Sequence, residues 1–418
     1  MLIVNIGQLV TPLGEAARGG EAMRRLEVLE DAYIKITRGR IVSVGPMAEL
    51  RGRLREEVYD ARRGLVLPGF VDPHTHAVFA GTREDEFLAR CLGEPYGKGI
   101  LTTMKRVRAA SEEELFASAR RFLGEMLRRG TTTVEVKSGY GLDTESELKL
   151  LRVIRRLGRE LPQEVVPTFL GAHAVPDGVK KGEYIEEIIT RMIPEVRRRK
   201  LAEFCDVFCE KGFFGRTESR EILRAAQGAG LRLKIHAEEL SNTRGAELAA
   251  ELGAVSADHL LHISPHGIRK MKEAGVVAVL LPGTAFTLGE PFAPAREMID
   301  AGLPVALGTD FNPGTCLIHS MPHVISLAVM KMRMTAEEAI TAATLNAAAA
   351  VGRAHETGTL EEGKRADLVV FDYENYRQLP YFLGHDPDRV RAVLCRGRWA
   401  YENPHPCRDG DARPHGHG

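Results

Sequence analysis

At 418 residues the chain is long enough for several domains, or for one α/β barrel of roughly 250 residues with a small companion. Its 57 Lys and Arg balance its 57 Asp and Glu, so no net field recommends nucleic acid or an anionic membrane as a partner, and any attraction for an anion must be local. No window offers the ~18 consecutive apolar residues of a membrane span, the opening MLIVNIGQLVTPLG lacks the basic stretch and cleavage site of a signal peptide, and the six cysteines are scattered without a CxxC pair, which together predict a cytoplasmic protein with no disulfide framework.

Near the N-terminus, AYIKITRGRIVSVG reads as two short strands around an Arg-Gly turn. From there the pattern changes. Near-continuous apolar runs at 66–71, 132–137, 165–170, 206–210, 231–236, 257–261, 276–280 and 304–308 have the character of strands covered on both faces. Cys205 and Cys209 would face one side of such a strand, as packed thiols. Helical signals fill the gaps. Ser111-Glu-Glu-Glu114 is a capping box ahead of Leu115, Ala119, Phe122 and Met126 at helical spacing. Asp143 precedes TESELKLLRVIRRL, and Ser264-Pro265 sets a capping hydroxyl before a proline at the first helical position. Eight strand-helix repeats predict a closed (β/α)8 barrel of the TIM type. ADLVVFD and VRAVLCRGRWAY then return to antiparallel character. The expected organisation is a small β-sandwich domain from both chain ends, 1–65 and 356–403, with the barrel at 66–355 inserted between them. The last stretch, 404–418, is rich in Pro, Gly and His and predicts a flexible tail, its His415 and His417 not being ligands.

His74-Thr75-His76 directly follows the first predicted barrel strand. On extended backbone, residues two apart face one side, so both imidazoles can reach one ion at about 2.0–2.1 Å. His236 ends the fifth run, His259 lies at the sixth and Asp310 follows the eighth. Strand ends around one barrel rim converge on a point, where barrel enzymes keep their active sites. His74, His76, His236 and Asp310 then form a three-nitrogen, one-oxygen set suited to zinc or iron. His259 and a carboxylate are left for proton traffic.

PGFVDPHTH, KIHAEE, ADHL and LGTDFNPG resemble the amidohydrolase superfamily, and GTLEEGKRADLVVFD resembles that superfamily's return to its β-domain. The finer pattern, over nearly the whole chain, resembles the branch that opens an imidazolone ring; the matching segments are HTHAVFAGTREDEFLARCLGEPY, TTTVEVKSGYGLD, TFLGAHAVP, FCDVFCEKGFF and GTDFNPGTC. The resemblance implies metal-dependent hydrolysis of 4-imidazolone-5-propanoate to N-formimidoyl-L-glutamate, in histidine degradation. It implies the ligands His74, His76, His236 and Asp310, and substrate contacts at Arg83, Tyr96, Tyr140, His173 and Glu239. Asn312, Gly314 and Thr315 are implied contacts to substrate or product.

Residue chemistry agrees with this. Arg83 offers a planar fork for a carboxylate tail, and Tyr140, in the loop SGYGLD, could donate to the same group. Asp310 is expected to act as general base, His259 to stabilise the oxyanion or orient water, and Glu239 to hold the ring nitrogens and shuttle a proton. Many binuclear amidohydrolases carry a carbamylated lysine at the fourth strand. Here Lys211 is adjacent to Glu210 and would face elsewhere, so a single metal is expected, with Glu210 and Lys211 a loop ion pair or a support for the ligands. The alternatives are another mononuclear amidohydrolase, such as a nucleobase deaminase, which would not need Arg83 with Tyr140, and a non-catalytic barrel scaffold. The expected partner is a small molecule with a carboxylate tail, and the expected assembly a homodimer.

Overall fold

The structure, a computed structural model, describes residues 1–50, 57–93, 99–384 and 386–404. Tyr96 and residues 405–418 lie outside the described residues. The apolar runs of the middle of the chain form one parallel sheet whose spatial order is its chain order. Its strands are Phe70–Asp72, Thr131–Lys137, Glu164–Ala172, Phe204–Cys209, Arg232–Ala237, Ser256–His259, Val277–Leu280 and Val305–Leu307. Just beyond the last and first strands the ring is joined: Asp310 N donates to His74 O at 3.0 Å and His76 N to Phe311 O at 2.8 Å. The barrel expected from the eight repeats is therefore present.

The predicted caps start the helices outside the barrel. Ser111 caps Glu112–Leu127 with the full capping box. Asp143 accepts from Ser146 N at 2.7 Å at the head of Thr144–Glu160. Ser264 caps Pro265–Ala274. Cys205 and Cys209 are free and buried in the main core, as packed thiols.

The run 66–71 divides between two sheets. Leu65–Pro68 pairs with Leu368–Phe371 and Leu2–Thr11, whereas Phe70–Asp72 pairs with the second barrel strand. Gly69 makes the crossing. A Cβ there would lie 2.3 Å from Thr132 Oγ1, and Gly69 N donates to Asp367 O at 2.9 Å. An unbroken apolar run carries no mark of which sheet each half will join, so periodicity alone reads it as one strand.

The sheet that receives Leu65–Pro68 is built from both chain ends. Its order is Arg398–Glu402, Val390–Cys395, Leu368–Phe371, Leu65–Pro68, Leu2–Thr11, Glu27–Thr37 and Arg40–Pro46, with Val58–Asp60 also on Leu2–Thr11. It is one continuous mixed sheet with a core including Ile3, Ile6, Ile34, Val66, Leu368 and Leu394. Charges join it to the base of the barrel: Arg365 pairs with Glu164 and Asp367, and Arg353 reaches Glu164 at 2.5 Å and Glu203 at 2.7 Å. Among the described residues no helix is long and apolar enough to cross a membrane.

Candidate metal centre and active site

Inward-facing positions on a barrel strand recur every second residue. In several strands these positions carry charge instead of apolar bulk. Glu135 and Lys137 stand on the second strand, Asp206 on the fourth, Lys234 and His236 on the fifth and Asp258 on the sixth, all buried. Lys137 Nζ lies 2.8 Å from Asp206 Oδ2, 2.9 Å from Glu135 Oε2 and 3.5 Å from Asp258 Oδ2. Lys234 Nζ donates to Glu135 Oε2 at 2.7 Å and to Pro73 O at 2.8 Å. Burial opposes a charged Lys137, but Asp206 and Glu135 outweigh it and hold the ammonium on. Burial likewise opposes a charged Asp206, yet His236 and Lys137 keep its carboxyl well below the usual range.

This charged layer carries the histidines. His74 Nδ1 is 2.7 Å from Asp258 Oδ2, and His236 Nδ1 is 2.9 Å from Asp206 Oδ2. A carboxylate at Nδ1 selects the tautomer whose Nε2 keeps its lone pair. The Nε2 atoms do face one point. His74 Nε2 and His76 Nε2 lie 3.5 and 3.7 Å from Asp310 Oδ1, and His236 Nε2 lies 3.4 Å from His76 Nε2. Donors at about 2.0–2.1 Å from a tetrahedral ion would be about 3.3–3.4 Å apart, close to these three separations; His74, His76 and Asp310 lie within reach of one ion, and His236 adjoins them through His76. His74 Nε2 is buried with no hydrogen-bond partner, and Asp310 is pinned by Thr284 Oγ1 on Oδ2 at 2.6 Å, leaving Oδ1 for the shared point. Burial, reinforced by neighbouring cations and imidazoles, holds His74 and His76 well below the ordinary histidine value, so both are neutral, as ligands must be. Protons compete for those lone pairs. Metal affinity is therefore expected to fall as pH falls, with protons released on binding; a dissociation constant that does not change across the acidic range would contradict this ligand set.

His259 adjoins the cluster, close enough to His74 and His236 for all three to share an ion. Its Nε2 is 3.7 Å from Glu239 Oε2, and neither of its nitrogens has a hydrogen-bond partner. Glu238 at φ 56°, His259 at 77°, Leu260 at 62° and Asp310 at 52°, all at this rim, have left-handed backbone. Such strain in non-glycine residues concentrates where a site dictates side-chain direction.

Above the cluster opens a cavity of about 560 Å³. His76, Tyr140, His173, His236, Glu239, His259, Asp310, Asn312 and Thr315 all line it, so most of the predicted site residues meet. His74 lies fully buried beneath. His173 Nδ1 is 2.9 Å from Gly139 O; donating to that carbonyl leaves its Nε2 as an acceptor. Asn312 is occupied with its own turn. Its Oδ1 accepts from Gly314 N at 2.8 Å and Thr315 N at 2.7 Å, and its Nδ2 donates to Asp310 O at 2.7 Å.

Arg83 stands apart from the cavity lining. Its guanidinium is wedged between two glycines: a Cβ on Gly314 would lie 2.3 Å from Nη1, and one on Gly99 1.4 Å from Nη2. Nη2 also pairs with Glu86 at 2.7 Å. Glu210 accepts from Leu240 N at 3.0 Å and from Ser241 Oγ, tying down the loop that carries Glu239, whereas Lys211 is exposed. Sequence reasoning passed over Asp206, Asp258, Lys137 and Glu135, although charges at alternate positions inside apolar strands were a usable signal. It also passed over Arg90 on the cavity wall, for which a helical position near an acidic run offered no signal.

The fold and this centre define a class: the chain belongs to the amidohydrolase family, whose profile matches residues 65–400. Among solved structures it resembles an atrazine chlorohydrolase from Arthrobacter aurescens complexed with zinc, at TM-score 0.75 and 19% identity, covering 97% of this chain and 96% of the other. It also resembles guanine deaminase from E. coli, at TM-score 0.74 and 18% identity, covering 96% and 99%. At such identities the likeness is one of fold. Sequence similarity runs much closer to the imidazolonepropionases, and the chain belongs with them. It is 51% identical over 392 residues to that of Geobacillus kaustophilus, covering 90% of this chain and 92% of the relative. To that of Clostridium tetani it is 48% identical over 413 residues, covering 96% and 98%.

Proposed function

We propose that the chain hydrolyses 4-imidazolone-5-propanoate to N-formimidoyl-L-glutamate in histidine degradation, using one zinc or iron ion held by His74, His76, His236 and Asp310. The observation that carries this reading is the clustering of those donors at the base of the cavity, with His74 and His76 3.5 and 3.7 Å from Asp310 and His236 3.4 Å from His76. Family membership supplies the substrate. When bound, the ion would lower the pKa of a water from about 15.7 towards about 7 and polarise the ring carbonyl.

Asp310 takes the proton of the attacking water. Its Oδ2, held by Thr284 Oγ1, lies beside the point the other donors face, where that proton is released. As water adds to the ring carbonyl carbon, neutral His259 donates to the developing oxyanion. The carbon–nitrogen bond then breaks, and the nitrogen needs a proton. Glu239 supplies it: burial first, then Asp310 and Glu210, push its carboxyl well above the usual range, so it holds that proton beside His259. His173 presents its Nε2 acceptor to a ring N–H, and burial lowers it to about 3, so it stays neutral. Tyr140 forms the adjoining wall, and the 312–315 turn closes the cavity beside Asp310.

The test is turnover of imidazolone propionate by the metal-loaded protein, followed by loss of its ultraviolet absorbance and appearance of the formimidoyl product. Turnover of a nucleobase in its place would overturn the reading. Within it, His259→Asn should keep its metal and lose roughly 10²–10³ in kcat, the usual cost of one oxyanion donor. A His259→Asn protein that loses its ion, or keeps full kcat, would assign His259 differently.

A further inference from the structure

The loop Ser138-Gly-Tyr-Gly-Leu142 leaves the second barrel strand and brings Tyr140 to the cavity wall. Its glycines are needed where they stand. Gly139 has φ 109°, and a Cβ on it would lie 3.0 Å from His173 Nδ1. A Cβ on Gly141 would lie 2.5 Å from Glu147 N, so the loop packs directly on the head of the helix Thr144–Glu160. Buried backbone of this kind must find partners for its N–H groups.

One side chain supplies them. Glu147 stands in the first turn of that helix without solvent exposure. Its Oε2 accepts from Gly139 N at 3.0 Å, and its Oε1 accepts from Gly141 N at 2.7 Å and Leu142 N at 2.9 Å. Burial raises its carboxyl, and the hydrogen bonds from Ser138 and the three amides oppose that rise. A buried carboxylate is a costly way to fill space, and here both oxygens are occupied by the loop. The peptide between Gly139 and Tyr140 lies between peptides that Glu147 holds, and its carbonyl is the one 2.9 Å from His173 Nδ1. The His173 ring in turn stacks on His76, with centroids 5.1 Å apart and planes 17° apart, and lies 5.3 Å from the ring of Tyr140. Arg108 holds the loop from its other side, donating to Gly141 O and Leu142 O at 2.8 Å, beyond that peptide.

We infer that Glu147 is a positioning residue: by fixing the backbone of 138–142 it aims Gly139 O at His173, and so sets the tautomer with which His173 meets the imidazolone ring. This deepens the functional reading above and rests on it. The experiment uses zinc-loaded protein isotopically labelled at the histidine ring nitrogens, with the His173 signals identified by their loss in His173→Asn. By NMR, wild type is expected to carry the His173 proton on Nδ1. Glu147→Gln keeps the size of the side chain but sets an amide donor against the N–H groups of the loop, so His173 should pass to a mixture of tautomers. Its kcat/KM on imidazolone propionate should fall by about 10- to 100-fold, the scale of a slightly misplaced group. Metal content should be unchanged, and the loss should divide between kcat and KM as it does in His173→Asn. The double variant should be no slower than His173→Asn, since a residue that acts through another adds nothing once that one is gone. Gly139→Ala crowds the same carbonyl with Glu147 in place; it should show the same change of tautomer, and it carries the test if Glu147→Gln does not fold. Arg108→Gln should leave tautomer and rate near those of wild type. A Glu147→Gln protein that keeps the Nδ1–H tautomer or wild-type kcat/KM overturns the inference. So do single losses that multiply in the double variant, or an equal loss in Arg108→Gln. Wild type that does not turn over imidazolone propionate overturns the functional reading instead, and the tautomer measurement still tests the hold of Glu147 on His173.

Discussion

His236→Ala is expected to be isolated with little metal and with activity reduced in proportion. The imidazole sits on the inner face of the fifth strand, with Nδ1 against Asp206 and Nε2 3.4 Å from His76 Nε2. Loss of an outer partner of a metal ligand costs about 10–100-fold in affinity, and loss of the ligand itself must cost more. Asp206→Asn is the companion variant. It keeps all four proposed donors and weakens the carboxylate at Nδ1 together with its pair to Lys137, so its affinity should fall by about 10–100-fold and excess metal should restore its activity. Elemental analysis after dialysis, together with kcat at increasing metal concentration, separates the two. Equal metal content in His236→Ala and wild type would remove His236 from the ligand set. Two tightly held ions per wild-type chain would remove the single-ion reading.

Lys137→Met is expected to be the most destabilising single change in the barrel interior. Lys137 has no solvent exposure and balances Asp206, Glu135 and Asp258 within 2.8–3.5 Å. Removing it leaves Glu135 and Asp258 with Lys234 and leaves Asp206 with only the imidazole of His236, and breaking a buried ion pair by deleting one partner costs about 3–5 kcal/mol. The same change disturbs Asp206 and Asp258, the groups that orient His236 and His74, so metal affinity should fall with stability. Arg156→Ala serves as the contrast. Its pairs with Glu113 and Glu160 lie on the surface, where such contacts contribute about 0–1 kcal/mol. Chemical denaturation of both variants measures the difference. A Lys137→Met protein as stable as Arg156→Ala would mean that the interior carboxylates take up protons at no cost.

The proposed ligands were legible because their signal is local. His74 and His76 are two apart on extended backbone, and His236 and Asp310 each close an apolar run, so a closed barrel brings them to one rim. The charged layer beneath was legible in principle at Glu135, Lys137, Asp206, Lys234 and Asp258, since every one interrupts an apolar strand. Its pairings were not, because Lys137 meets Asp206 and Asp258 across strands separated by 69 and more residues of chain. The division of the run 66–71 was hidden for a related reason: both halves are equally apolar, and only the sheets on either side of Gly69 distinguish them.

The two arginines show where local reading ends. Arg83 and Arg90 stand on one short stretch, and the sequence singles out Arg83 as the carboxylate clamp while giving no sign of Arg90. What separates them is Gly314, more than 220 residues on, which encloses Arg83 and accepts a hydrogen bond from Arg90. By itself the sequence determined the barrel, the sheet drawn from both ends, and the kinds and strand-end positions of the proposed metal donors, because strand period and chain order survive folding unchanged. The tertiary structure decided which carboxylate orients which imidazole and how Arg83 and Arg90 both meet the turn at Gly314, because both depend on which distant segments the closed barrel brings side by side.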